Sequence, residues 1–459
     1  MKHKLVSLGG VFLLLLVGLF YISGIVQDRQ TYRQVAVDGV ARSLAGAQTL
    51  TGPLVRMACT EDWTYKEDDK AKSGHREFTV VAAPASLNVV GNAKLEERAR
   101  GLHAVQVFNL KSRITAQWPD FRALVPVAEN PNARVNCGQP FLVLAVSDAR
   151  GVRQVKATMD GQPVAFKSGT LWSAYPRGVH TPLAGGASRQ SPLEVIIDLE
   201  LVGTERLSIV PVGADTAVKL ESNWAHPSFN GQFLPADRQV STNGFSANWR
   251  VSALASSAQL AVTGGRGICT PQAEAGAASS SACTEAFGVS FIDPANTYAL
   301  SDRATKYGLL FIGLTFLAVG LFEFMKSLRV HPIQYLLVGA AMSMFFLLLV
   351  SLSEHMPFER AYVVASAACV SLLTYYASHM LGRWSRGIPF GAGVALLYGM
   401  LFVLLRMEQT ALLLGAVALF AILSIIMMLT RRVDWYARFQ AAEKGAPPNS
   451  KNDMSEVTA

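Results

Sequence analysis

The residues that could carry out chemistry at the greatest physical cost are polar side chains within or beside long apolar runs. Glu323, His331, Gln334 and His379 fall towards one end of such runs, and Glu354 and His355 towards the other. A carboxylate or imidazole at membrane depth can relay protons or hold an ion, and ionisable groups are rare enough there to count as functional candidates. Depth sorts them into two sets. His331 and His355 stand 24 residues apart on one run, about 36 Å along a helix, so they cannot share a site. Glu323, His331, Gln334 and His379 form a candidate inner cluster. Glu354 and His355, with Glu359 and the Asp302, Arg303 and Lys306 group, form a candidate outer one. The competing reading is structural: Glu323 pairs locally with Lys326 one turn on, and the rest make hydrogen bonds that fix helix packing.

The runs themselves must position these groups. Leu5 to Val26 carries no charge and follows Met1-Lys2-His3-Lys4; it spans roughly 33 Å as a helix, enough for a hydrocarbon core of about 30 Å. A cleaved signal peptide would end in a small-x-small site. Tyr21-Ile22-Ser23-Gly24-Ile25-Val26 is not one, so the run reads as an uncleaved anchor. Five more runs follow a long polar gap: Tyr307–Met325, Ile333–Leu352, Ala361–Leu381, Ile388–Leu405 and Thr410–Thr430. Each has about the length needed to cross a bilayer. Lys2, Lys4, Lys326, Arg329, Arg383, Arg386, Arg431 and Arg432 fall on one side of these spans, and only Arg360 and Arg406 in the short loops of the other. By the positive-inside rule both termini are cytoplasmic. Trp384, Trp435 and Tyr436 read as interfacial anchors.

The resulting division is a cytoplasmic N-terminus 1–4, an anchor helix 5–26, a periplasmic β-rich domain 27–306, a five-helix transmembrane bundle 307–436 and a disordered tail 437–459. The fold class is therefore a membrane protein with a large, mainly-β, sandwich-like domain between its anchor and its bundle. Runs such as Phe141-Leu-Val-Leu-Ala-Val146 and Leu193-Glu-Val-Ile-Ile-Asp-Leu-Glu-Leu-Val202 have strand character. Turn signals stand at Arg150-Gly151, Asp160-Gly161, Asn230-Gly231 and Asn243-Gly244. They predict about ten short strands in one or two antiparallel sheet units. Tyr32 to Leu44 instead reads as helix continuing the anchor outward, and Gly264 to Ala282 as a loop.

Of five cysteines, Cys59, Cys137, Cys269 and Cys283 fall in the β-rich domain and Cys369 in an apolar run. Four cysteines in an oxidising compartment allow three pairings. Cys269 with Cys283 would staple the Gly/Ala/Ser loop, leaving Cys59 with Cys137. Metal binding lacks a Cys-x-x-Cys or a nearby histidine pair.

No nucleophile elbow, zinc-protease motif, phosphate-binding loop or dinucleotide fingerprint is present. The chain is 51% hydrophobic and only 16% charged over 459 residues, against roughly 25% charged for a soluble chain. Its net charge of +8 is largely placed at the inner membrane boundary, which argues against nucleic acid as a partner.

With these residues in view, the chain resembles the CreD family of inner-membrane proteins. The resemblance rests on Asp293-Pro-Ala-Asn-Thr-Tyr298, Arg303-Ala-Thr-Lys306-Tyr307, Leu314-Thr315-Phe316, Glu323 and His331-Pro-Ile-Gln-Tyr335. It continues through Leu352-Ser-Glu-His355, Ala361-Tyr362, Leu397-Tyr398-Gly399 and Thr430-Arg-Arg-Val-Asp-Trp-Tyr436. In the β-rich domain it includes Gly52-Pro53, Arg100-Gly101, Ser147-Asp148 with Gly151, and Pro211-Val212-Gly213. Trp224-Ala-His-Pro-Ser-Phe-Asn-Gly-Gln-Phe-Leu-Pro235 and Gly244-Phe-Ser-Ala-Asn-Trp249 complete it. The four cysteines and the insert around Cys269 and Cys283 depart from the family pattern. The resemblance implies a role in cell-envelope integrity of Gram-negative bacteria, within the regulon of the Cre two-component system, with links to β-lactam response and colicin sensitivity. It brings no catalytic residue and no cofactor.

The expectation is a non-enzymatic, multi-pass inner-membrane stress-response protein, its partners the lipid bilayer and an unidentified periplasmic or envelope protein. The alternatives are a transporter or channel-like activity of the bundle, or a membrane-embedded enzyme acting on an envelope lipid or glycan.

Overall fold

The N-terminal apolar run is one uninterrupted helix, α1, over Lys2–Ser43. At 42 residues it is about 63 Å long, twice the thickness of a hydrocarbon core, so the anchor and its polar continuation belong to one unbroken helix. In the computed structural model, which describes residues 2–68, 70–100, 103–183, 189, 191–267, 283–291, 297–326, 330–380, 383–407 and 411–431, the chain forms two compact units. One comprises 1–31 with 295–459, the other 32–294.

The second unit holds two sheets. The nine-stranded sheet runs β14 (Ser228–Gly231), β17 (Phe287–Ser290), β12 (Arg206–Ile209), β1 (Gln48–Glu67), β6 (Phe141–Val146), β10 (Gly178–Pro182), β9 (Lys167–Ser168). In it β2 (Lys70–Ala82) and β5 (Arg134–Cys137) pair with the far half of β1. The eight-stranded sheet runs β15 (Asp237–Ser241), β16 (Gly244–Ser252), β13 (Asp215–Ser222), β3 (Ser86–Arg100), β4 (His103–Trp118), β11 (Leu193–Thr204), β7 (Val152–Met159), β8 (Gln162–Val164). Alternation along each strand sends one row inward: Val55, Met57 and Cys59 from β1 meet Ile114, Ala116 and Trp118 from β4 and Val195, Ile197 and Leu199 from β11 in one buried cluster. The indoles of Trp118 and Trp249 are buried with their N–H groups donating to Ala82 O (3.1 Å) and Phe233 O (3.2 Å).

The strands are more numerous and longer than the expected ten short ones. Seventeen lie among the described residues, and β1 alone is 20 residues long. Long polar strands such as β2 lack an alternating apolar signal because their outer half buries neither face; backbone pairing with β1 from Val55 to Glu67 holds them. Asp160-Gly161 is the expected hairpin turn: Met159 pairs with Gln162, and both turn residues have positive φ, 49° and 78°. Asn230-Gly231 is not a turn but the end of β14. Gly231 is needed there because a Cβ would meet Ala286 O at 2.1 Å.

In the other unit, α3 (Thr297–Lys326), α4 (Pro332–Ser353), α5 (Phe358–Met380), α6 (Trp384–Arg406) and α7 (Ala411–Thr430) follow in order; α2 (Ala258–Thr263) is a short helix of the β unit. Leu15, Leu19 and Ile22 of α1 join Phe311 and Ile312 of α3, Phe345 and Phe346 of α4 and Tyr362 of α5 in one buried cluster. Among the described residues, four helices are long and apolar enough to cross a membrane: Val6–Ser43, Pro332–Ser353, Phe358–Met380 and Gly387–Arg406.

Cys59 of β1 and Cys137 of β5 stand directly opposite and are disulfide-bonded. Cys283 is also in a disulfide, while Cys269, its expected partner, lies outside the described residues, as do the loop 268–282, Trp435, Tyr436 and the tail. Replacing both Cys59 and Cys137 by alanine removes the cross-link closing a 78-residue separation. Thermal unfolding of the full chain in detergent, followed by near-UV circular dichroism, is expected to show the β unit less stable by about 2–4 kcal/mol.

Candidate functional site

The inner cluster resolves into two corners. Glu323, at the end of α3, accepts hydrogen bonds from the Tyr335 hydroxyl (2.9 Å) and the Val330 N–H (3.2 Å), so one carboxylate ties α3 to α4. His331 is the N-cap of α4. Its Nδ1 accepts from Ile333 N–H (3.3 Å), while Gln334 Oε1 accepts from His331 N–H (3.0 Å). This is a capping box with histidine in the usual Ser/Thr position, completed by Pro332 at the first helical residue. His379 makes its contacts at the α5–α6 corner. Its Nδ1 donates to Tyr375 O (3.0 Å), and its ring packs against Tyr375 and Trp384, with centroids 4.5 and 6.2 Å away.

The outer cluster separates into local ion pairs. Glu354, the C-cap of α4, lies 3.4 Å from Arg29 of α1. Glu359 pairs with Arg406, whose guanidinium lies 4.9 Å over the Phe402 ring. Lys306 pairs with Asp302 one turn away on α3 (2.7 Å). His355 donates its backbone N–H to Leu352 O (3.0 Å) as α4 ends. Chemically, these groups are arranged as helix ends and interhelical ties, the arrangement that holds polar atoms in an apolar surrounding.

A third polar tie lies deeper. The Tyr362 hydroxyl donates to Tyr398 O (2.6 Å), and Cys369 Sγ lies 3.1 Å from the Tyr398 hydroxyl. Sequence reading missed it, although Tyr362 and Cys369, seven residues apart, share one helix face.

Two polar sites of the β unit were also missed. The Glu61 side chain is fully buried on the inward row of β1; its Oε1 accepts from the N–H groups of Glu129 and Asn130 (both 2.9 Å), and its other oxygen lies 2.7 Å from Arg76, which also pairs with Glu129. The Asn130 N–H above all, then its side chain, the Glu129 N–H and Arg76, hold this carboxyl below its ordinary range against the opposing effect of burial. A carboxylate continuing the row of Met57 and Cys59 was the available signal. The other site joins the end of α1 to the sheets. Asp148 accepts from Arg150 (2.6 Å) and from Gly46 N–H (3.1 Å), and Gln48 donates to Asp148 O (2.9 Å) and Val202 O (3.0 Å). Gly151 is required beside it, since a Cβ would meet Val202 O at 2.1 Å and Gln48 Nε2 at 2.3 Å.

Hydrogen bonds from Arg150, then the N–H groups of Gly46 and Arg150, hold the Asp148 carboxyl down at about 2, against an ordinary 3.8, with burial opposing. The folded-state value is depressed, so this contribution is present above about pH 4 and is lost as pH falls through about 2. Asp148→Asn is expected to lower stability at pH 7 by about 1–2 kcal/mol, after discounting for solvent screening. It should also flatten the acid limb of the stability curve below pH 4, read by urea unfolding of the detergent-solubilised chain at pH 2 to 7.

The chain matches the family described as "Inner membrane protein CreD" over residues 1–436. It is 38% identical over 435 residues to the "Inner membrane protein CreD" of Escherichia coli strain K12, covering 95% of this chain and 93% of that protein. Among solved structures, an M1 zinc metallopeptidase from Deinococcus radiodurans overlaps 49% of this chain and 53% of its own at 9% identity, with a TM-score of 0.23, too low to bear on fold or activity. The ties at Glu323, His331–Tyr335 and Tyr398 and the joint at Asp148 and Gly151 lie within that matched span, and the chain belongs to the CreD family of inner membrane proteins.

Proposed function

We propose that the chain is an envelope-integrity and stress-response protein of the CreD type, tied to the Cre regulon and β-lactam response, that works through periplasmic partner contacts rather than catalysis. In this reading α1 and α3 to α7 all cross the inner membrane, both termini are cytoplasmic and the β unit is periplasmic. Its support is the Lys/Arg bias of the short loops and the family membership.

The observation that carries the partner reading is the outer face of the eight-stranded sheet. Across its centre lies a shallow hollow of about 620 Å³, lined by Lys111, Arg113, Asp198, Glu200, Lys219 and Glu221. The charges stand in pairs, Arg113 with Asp198 across strands (2.8 Å) and Lys219 with Glu221 along β13 (2.8 Å). Exposed pairs of this kind add little stability. A broad, ordered array of them suits a polar protein surface, where electrostatic complementarity sets specificity and encounter rate.

Two experiments test this. Combined Lys111→Glu, Arg113→Glu and Lys219→Glu should leave the protein at normal level in the membrane, yet abolish its contribution to envelope integrity under β-lactam stress. Full activity at normal level would sink the partner reading. Glu354→Ala with His355→Ala should preserve activity per molecule, because Glu354 ends α4 and ties it to Arg29. Loss of activity at normal protein level would instead favour chemistry or transport in the bundle.

A further inference from the structure

Strand β1 carries one cation in an otherwise apolar stretch, Leu54-Val55-Arg56-Met57-Ala58-Cys59. Its backbone is committed on both sides, Arg56 pairing with Val81 of β2 and Phe141 of β6. The side chain is only 6% exposed, and Nε and Nη1 are enclosed without a hydrogen-bond partner among the described residues. Arg76 on the neighbouring strand is handled quite differently, with Glu61 and Glu129 both against it. Burial pushes the Arg56 pKa down, but a guanidinium stays charged at any physiological pH. An unpaired buried charge is among the costlier arrangements a fold can hold, so it points to a counter-ion supplied from outside.

Arg56 lines a hollow of about 600 Å³, within the size range of small-ligand sites. Ala58 and Thr60, two and four residues along β1, share its face, and their opposite partners Thr79 of β2 and Asn136 of β5 complete the floor. The wall is the segment Leu171–Ser173. Both are held rigidly. The Cys59–Cys137 disulfide fixes β1 against β5. The wall is fixed by Thr170, whose hydroxyl accepts from Trp172 N–H (3.2 Å) and donates to Tyr175 O (2.5 Å). Leu171 is kept in the left-handed region, φ 57°, the kind of stored backbone strain found at ligand clamps. The carboxylate that lines the hollow, Glu77, is opposite Thr60, roughly 13 Å along the strand from Arg56, and 83% exposed.

We infer that this hollow is a binding site for a ligand bearing a single carboxylate, which Arg56 receives at the floor while the Thr60, Thr79 and Asn136 side chains hydrogen-bond the neutral remainder. The carboxylate can belong to a peptide C-terminus or to a small monocarboxylate. Phosphate is the poorer fit, because Arg56 is the one cation among the lining residues and matches a single negative charge. The site is independent of the charged face on the other sheet.

The test uses the purified full chain in detergent, with thermal unfolding recorded against acetate, N-acetyl-trialanine, its C-terminal amide and inorganic phosphate. Expected is saturable stabilisation by the free-carboxylate peptide, with the amide about tenfold weaker for loss of one charge-assisted contact. Acetate matching the peptide assigns the ligand to small monocarboxylates; acetate much weaker assigns it to peptide termini. Arg56→Met should abolish the response without lowering the melting temperature, because it removes an unpaired buried charge at similar volume. Thr79→Val should weaken binding several-fold at unchanged stability, and decides the matter should Arg56→Met fail to accumulate. No saturable response to either carboxylate, an unchanged response in both variants, or phosphate binding more tightly than both carboxylates would overturn the assignment.

Discussion

The β unit depends on β1. Its first residues pair in parallel with β12 and antiparallel with β6, and its outer half pairs with β2 and β5. One strand of 20 residues therefore gives the nine-stranded sheet its continuity. The inward row of that strand fills the core with Val55, Met57 and Cys59 and ends on buried Glu61; the opposite row carries Arg56. Because strand side chains alternate strictly, a one-residue slip would turn Glu61 to the surface and a threonine into the Arg76 network. The Glu61 bonds to Glu129 and Asn130 and the Cys59–Cys137 disulfide thus fix the register from which both faces of the sheet follow.

The helical unit solves a different problem. Between apolar helices there is little hydrophobic preference for one arrangement over another, so polar contacts at helix ends and a few in the interior determine which faces meet. Glu323 to Tyr335 joins α3 to α4, Glu354 to Arg29 joins α4 to α1, and Glu359 to Arg406 joins α5 to α6. Tyr362 and Tyr398 repeat the device one to two turns further along the α5–α6 pair. Each is a short-range tie between neighbouring helices.

How much of this was legible in the sequence follows from the range of each interaction. The apolar runs and Pro332 at a helix start are local signals, and the structure has helices at each of those places. The hairpin at Asp160-Gly161 is equally local, its positive φ values being a property of two residues. Strand number was underestimated because β2 and the outer half of β1 owe their existence to each other rather than to apolar alternation. The polar clusters were grouped by depth, which sequence gives, but lateral position is set by packing, which it does not. Depth alone therefore groups His379 with Glu323, whereas in the fold it packs with Trp384. Glu61 and Arg56 were missed for a related reason: a single charge in a strand looks like surface until both neighbouring strands are known.

The residues that carry the family resemblance can be read in the same terms. Asp148 and Gly151 form the joint at the end of α1, Gly213 and Thr216 close a turn through a 3.1 Å hydrogen bond, and Glu323, His331, Gln334 and Tyr335 form the α3–α4 corner. Trp249 and Phe287 pack ring on ring in the core. These are joints, and joints specify an architecture without specifying what it acts on. That is why a strong resemblance fixes the fold and membrane setting while leaving the molecular activity open to surfaces that lie between the joints. The charged face of the eight-stranded sheet and the hollow over Arg56 are two such surfaces. Arg56 is the more pointed of them, because its burial without a partner among the described residues serves no joint.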